Sequence, residues 1–283
     1  MTQIIAVTNQ KGGVGKTTTS AALVCGLHQR GARVLGVDLD PQGNLGFNLG
    51  LDIGTGSTVY DVLKGACSLE QAIVSTEYGD VLPSDIMLSA AEVEFTVPRR
   101  EFMLSDQLST VRSQYDFVII DTPPALNILT VNAYVASHGL IVPMEAEVLS
   151  LVGVTQLQET IETVRATFNP NLKVLGILIN KYNGRLSLSR DILEMAQVVA
   201  EQLDTCSRPK STAASGWPWL PPTGRPCSRI SPIPAPLRTS SPSSTRWPDR
   251  SSPARKPGEG IFPGFSPDQH HWTQILCNEV RRV

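Results

Sequence analysis

A doubly wound α/β fold with a mostly parallel sheet is what this 283-residue sequence predicts, and two observations carry the prediction. Short apolar runs rich in β-branched residues recur without polar alternation, as strands covered on both faces by helices require. Stretches with helical periodicity separate them, and strand alternating with helix is the signature of such a sheet. The strand runs are residues 4–8, 33–38, 117–121, 139–143 and 174–180. The helical stretches are 17–30, with Ala21, Val24 and Leu27 on one face and Gly31 as its stop; 149–168, with Leu157, Ile161, Val164 and Phe168 at three- and four-residue steps; and 187–203.

The averages, a net charge of −2, 41% hydrophobic and 18% charged residues, describe an ordinary globular chain and exclude a collagen-like, disulfide-dense or multispanning membrane protein. They also hide a seam. Residues 1–205 hold 13 Lys+Arg against 22 Asp+Glu, whereas 206–283 hold 11 against 4, together with 14 of the 21 prolines and all four tryptophans. The two parts are therefore expected to be a folded domain, 1–205, and an irregular Pro/Ser/Arg-rich tail, 206–283. Five cysteines without C-x-x-C pairing, no signal peptide and no long apolar run point to a reducing, cytoplasmic setting.

In an open α/β sheet, ligands bind beyond the carboxyl ends of the strands. After the first strand comes Asn9-Gln10-Lys11-Gly12-Gly13-Val14-Gly15-Lys16-Thr17-Thr18. Close glycines let backbone N–H groups turn toward phosphate oxygens, and the following helix adds the positive end of its dipole. Lys16 supplies a charge to the β and γ phosphates, and the Thr17 hydroxyl suits the magnesium that accompanies them. Gln10 stands where the common G-x-x-x-x-G-K-[ST] pattern has glycine, and Lys11 adds a second cation that only further negative charge would make favourable. The second strand ends in Asp38-Leu39-Asp40-Pro41-Gln42-Gly43-Asn44, two carboxylates suited to water activation and magnesium contact, or else a plain Asp-Pro turn. Asp121, closing a buried strand before Thr122-Pro123-Pro124, has the placement of a Walker B carboxylate. Asn180 ends another strand with a donor and an acceptor that suit an adenine edge, although without further context an Asn in a turn is the favoured explanation.

The Lys-Gly-Gly-x-Gly-Lys-Thr-Thr loop resembles the deviant Walker A motif of the ParA/MinD ATPases, and residues 1 to about 204 resemble the ParA/Soj partition ATPases within that P-loop NTPase-like class. The resemblance implies ATP and Mg2+ as cofactors, held by Gly12, Gly13, Val14, Gly15, Lys16, Thr17 and Thr18, with Thr17, Asp40 and Asp121 near the metal and Asn180 on the base. It implies that Lys11 reaches the phosphates of a partner subunit in an ATP-bound homodimer, that Asp40 polarises the attacking water and that Asp38 organises its loop. It also implies slow hydrolysis stimulated by a ParB-type partner, a nucleoid-associated role in chromosome or plasmid partition, and non-specific DNA binding. Lys181, Arg185 and Arg190 are the candidate DNA contacts, with a solvated face as the bland alternative. A MinD-like positioning ATPase is the alternative function, although no amphipathic membrane helix is legible. An inactive nucleotide-binding scaffold is another. Nitrogenase iron protein is excluded, because no cysteine lies between Cys67 and Cys206.

From Cys206 the strand and helix pattern is expected to stop. A basic DNA tether and a proline-rich docking segment are two readings of the tail. A third fits better. Back-translating Gly216-Trp217-Pro218-Trp219-Leu220 and reading from the third base gives an apolar run of Ala with Leu, Met or Val, which points to a shifted reading frame from near codons 204–210.

Overall fold

The computed structural model describes residues 2–51, 56–145, 151–182, 188–203, 205 and 210–213, and gives side chains for these except at 151–154, 181–182, 188–193 and 210–213. The strands are β1 (Gln3–Val7), β2 (Val34–Asp38), β3 (Val74–Thr76), β4 (Gly79–Leu82), β5 (Phe117–Asp121), β6 (Gly139–Glu145), β7 (Lys173–Tyr182) and β8 (Lys210–Ala213). They form one sheet in the order β3-β4-β2-β5-β1-β6-β7-β8. Among the described residues only the β3–β4 pair is antiparallel, and the other strand pairings are parallel. From β1 the chain crosses to β2 on one side, and after β5 it moves to β6 on the other. The segment after β1 therefore leaves the sheet at its topological switch, where ligands of such folds bind.

Alternation along each strand explains why these runs carry no polar face. In β1, Ile4 and Ala6 enter one core while Ile5 and Val7 enter the other; in β5, Val118 and Ile120 oppose Phe117 and Ile119 in the same way. The second core is closed by α1 (Lys16–His28) and α2 (Asn44–Asn48), the first by α3 (Val59–Lys64), α6 (Met103–Val111), α7 (Ile128–Ala136), α8 (Leu151–Thr167) and α9 (Leu188–Gln202). A bulge keeps β7 in this scheme. The register steps from Leu140↔Val174 to Ile141↔Gly176, so the parity of inward residues changes at Leu175, and Val174 and Ile177 both reach the first core. Helix α1 stops as expected: Gly31 adopts φ 80°, and its N–H donates to the His28 carbonyl.

Three features depart from the sequence expectation. The β3–β4 hairpin is absent from it, because strands of three and four residues leave too short a period to recognise. So are the short helices between β2 and β5, among them α5 (Ala91–Glu94), and α7 between β5 and β6. Two of them were nevertheless signalled by capping boxes, Thr58 with Asp61 ahead of α3 and Ser68 with Gln71 ahead of α4 (Leu69–Ala72). The third departure is a correction. Strand structure does not end at Cys206, since β8 pairs in parallel with β7 and Thr205 bridges to Val174. The rest of the tail, including the segment 216–220 on which the shifted frame was argued, lies outside the described residues.

Candidate functional site

The loop between β1 and α1 is shaped by two glycines in the left-handed region, Gly13 at φ 76° and Gly15 at φ 92°, the latter being the residue that caps α1. An L side chain is strained at such angles. Space excludes one at Gly15 as well: a Cβ there would lie 2.6 Å from Nδ2 of Asn180. Gly12 and Gly13 are exposed, Thr17 and Thr18 half-buried, and Val14 is turned into the protein.

The two lysines of the loop part company. Lys16 is 6% exposed, and its Nζ donates to the carbonyl of Lys11 at 3.0 Å. Burial pulls its ammonium below the ordinary lysine value, against the charges of Asp121 and Asp40, which hold it up. The Lys11 side chain is 58% exposed, with Nζ 3.8 Å from Oε2 of Glu145 at the end of β6. Asn9 fastens the same turn: its Oδ1 accepts from Lys11 N at 2.9 Å, and its Nδ2 donates to the Pro143 carbonyl at 2.8 Å.

Parallel pairing brings Asp38 and Asp121 side by side, as register partners at the ends of β2 and β5. Asp38 is fully buried. Its Oδ1 accepts from Asp40 N at 3.0 Å and its Oδ2 from Leu45 N at 2.9 Å, so one carboxylate shapes the turn that presents Asp40. Burial, then the neighbouring Asp121, raises its pKa well above the usual carboxylate value. Asp121 is also fully buried and is pushed up to about 7 by burial, with Thr17, Ser20 and Lys16 opposing and Asp40 adding to the rise. Ser20 Oγ donates to its Oδ1 at 2.9 Å, while Oδ2 has no hydrogen-bond partner. Asp40 is half-buried and accepts from Gln42 N at 3.0 Å.

An orphaned buried carboxylate oxygen is costly unless something positive or proton-bearing meets it. The neighbouring donors are all oxygens, namely Asp121 Oδ2, the Thr17 hydroxyl beside that carboxylate and the Asp40 carboxylate within electrostatic reach. That set fits a hard divalent cation of the magnesium type.

Asn180 does not present an open edge. It is 3% exposed, and its Nδ2 donates to the Val14 carbonyl at 2.6 Å, so in this structure the amide braces the phosphate loop from beneath. Three other contributors escaped the sequence reading. Ser20 was findable, because it lies one turn along α1 from Lys16 and so shares its face. Asn9 and Glu145 were not, since what they do depends on β6 lying next to β1. Of the candidate DNA contacts, Arg185 lies outside the described residues, and Lys181 and Arg190 are placed by backbone only, in β7 and in α9.

A phosphate loop of this form after the central strand of a parallel sheet, facing an Asp at the end of the adjacent strand, defines a P-loop nucleotide-binding protein. A family model described as an AAA domain matches residues 2–174. The chain is 44% identical to the chromosome partitioning protein ParA of Caulobacter vibrioides over 196 residues, 67% of this chain and 73% of that one. It is 42% identical to the sporulation initiation inhibitor protein Soj of Bacillus subtilis over 199 residues, 69% and 78% of the two chains. Among solved structures it resembles cobyrinic acid a,c-diamide synthase from Mycobacterium smegmatis, solved with bound ADP and magnesium, at TM-score 0.67 and 44% identity over 69% of this chain and 81% of that one. The chain belongs to the ParA/Soj-type partition ATPases. No helix among the described residues is long and apolar enough to cross a membrane.

Proposed function

We propose that this ATPase works as an ATP-clamped homodimer in chromosome or plasmid partition, binding DNA without sequence preference until a ParB-type partner stimulates slow hydrolysis. The observation that carries this reading is the division between the two lysines, Lys16 buried in its own loop and Lys11 largely exposed at the rim, where a second subunit's phosphates could meet it. A nucleoid-associated cytoplasmic location follows from DNA binding, with Lys181, Arg185 and Arg190 proposed to supply the cations.

In this reading the N–H groups of residues 12–18 cradle the phosphates, and Lys16 stays charged because the incoming anion offsets its burial. Thr17, Asp121 and Asp40 would hold magnesium. When bound, that ion would neutralise charge on the phosphates. Asp40, presented by the Asp38-bonded turn, orients and polarises the attacking water, and Lys11 of the second subunit meets charge developing on the transferred phosphoryl group. An adenine contact by Asn180 would require its carboxamide to turn away from Val14.

The test is an ATPase assay of the full chain with and without DNA, a ParB-type partner and anionic vesicles. Stimulation by partner and DNA is expected. Stimulation by vesicles alone favours a MinD-like positioning ATPase, and no turnover under any condition favours a nucleotide-binding scaffold. Asp40→Asn is expected to keep ATP affinity within about threefold while lowering turnover at least about 100-fold, the range lost with a water-positioning or acid–base group. Equal turnover by the Asn variant would remove Asp40 from the chemistry.

The tail is proposed to be a shifted-frame product beginning near codons 204–210, of which the first described segment, β8, pairs with β7. Early stop codons in the alternative frame of the gene would refute this.

A further inference from the structure

We propose that Glu145 is a positioning residue that holds Lys11 against its own subunit and so sets how much ATP the two-subunit clamp requires; this rests on the reading of Lys11 as the lysine given to the partner's phosphates. Three observations converge on it. Glu145 closes β6 with a side chain only 10% exposed, and its Oε2 stands 3.8 Å from Lys11 Nζ. The backbone of Lys11 is drawn to the same strand through Asn9, which bridges Lys11 N and the Pro143 carbonyl. Finally, Glu145 lies beside Asn180 in the β6–β7 register, and Asn180 itself holds Val14, so this carboxylate stands at the flank of the phosphate loop.

A largely buried carboxylate next to a phosphate site opposes the arrival of further negative charge, and a nearby ammonium relieves that opposition. In the proposed clamp the ammonium leaves Glu145 for the phosphates of a second subunit. Moving it across strips Glu145 of that charge, so clamp formation is opposed until the partner site offers more negative charge than Glu145 does. A triphosphate offers more than a diphosphate. Glu145 thus raises the threshold for ATP and disfavours a clamp formed on ADP.

Glu145→Gln keeps the side-chain shape and removes the charge. Circular dichroism and thermal melting of each full-length variant establish that it is folded. In sedimentation experiments the ATP concentration giving half-maximal dimer is expected to fall about two- to fivefold, the range set by breaking a solvent-accessible ion pair. Acetylation of Lys11 by acetic anhydride, quantified by mass spectrometry against the other lysines, is expected to rise by a similar factor in the monomer. Lys11→Ala should not dimerise with ATP, alone or combined with Glu145→Gln. A folded Glu145→Gln protein with unchanged ATP threshold and unchanged Lys11 acetylation overturns the proposal and leaves the clamp reading standing. So does dimer restored in the double variant, because Glu145 would then act on something other than Lys11. ATP-dependent dimerisation of Lys11→Ala at the wild-type threshold instead overturns the clamp reading, and the proposal with it.

Discussion

Gly15→Ala is expected to abolish nucleotide binding while leaving the sheet intact. Two independent penalties meet at this position. The backbone sits at φ 92°, where a Cβ costs about 1–2 kcal/mol in steric conflict with its own peptide. The added carbon would also lie 2.6 Å from Asn180 Nδ2, which is buried and bonded to the Val14 carbonyl. Either Asn180 gives up that bond or the loop moves, and both displace the N–H groups that would face the phosphates. An affinity loss of at least about 100-fold, equivalent to about 2.8 kcal/mol, is expected by titration with a fluorescent ATP analogue. The double variant Gly15→Ala/Asn180→Ala separates the two causes, since it relieves the contact and keeps the strained φ. Partial recovery of binding is expected from it. Wild-type affinity in Gly15→Ala alone would mean that the loop accepts ligand in a different shape.

Asp121→Asn is expected to change how stability depends on pH. In the folded protein burial raises the Asp121 carboxyl to about 7 from an ordinary 3.8, so between those values the folded state binds more protons than the unfolded state. Linkage then requires stability to fall as pH rises through that window, by up to about 1.4 kcal/mol per pH unit for one such group. Asp38 shifts in the same direction, partly because the charge of Asp121 faces it. Asparagine at position 121 removes one titrating group and weakens the cause of the other. The wild-type chain without nucleotide should therefore melt at a lower temperature at pH 7 than at pH 5, and the Asn variant should lose part of that difference, burial still raising Asp38. Melting curves at the two pH values check the sign; a wild-type protein that gains stability over the same interval contradicts the burial of this pair. The variant should also lose the dependence of ATP affinity on magnesium, because the orphaned Oδ2 is the oxygen that fits the ion.

Much of this was legible in the sequence, for identifiable reasons. The central strands were found because both faces are buried, so their apolar runs are unbroken; Phe117–Asp121 matches the predicted run residue for residue. The loop was found because phosphate binding demands glycines, a lysine and a hydroxyl at fixed spacing within one short segment. The β3–β4 hairpin and the helices between β2 and β6 escaped: the hairpin strands and α2–α4 run only three to six residues and complete too little of a period to stand out from loops, and α6 and α7, at nine residues, make only about two and a half turns. The continuation into β8 escaped for a different reason. A strand at the sheet edge needs few apolar residues, and Lys210-Ser-Thr-Ala213 shows none of the β-branched density of the centre.

The sequence by itself determined the fold class, the phosphate loop and the carboxylates at the strand ends, because each of these is written in residues adjacent along the chain. Tertiary structure alone decided what those residues meet. Parallel pairing of β2 with β5 sets Asp38 beside Asp121 in the interior, where burial raises both carboxyls. The β6–β7 pairing carries Asn180, 166 positions from Val14, to the phosphate loop, where its amide donates to the Val14 carbonyl. The end of β6 brings Glu145 to Lys11 and gives the second lysine of the loop a partner in its own subunit. These contacts join segments more than eighty residues apart, and such distances close only when the sheet assembles.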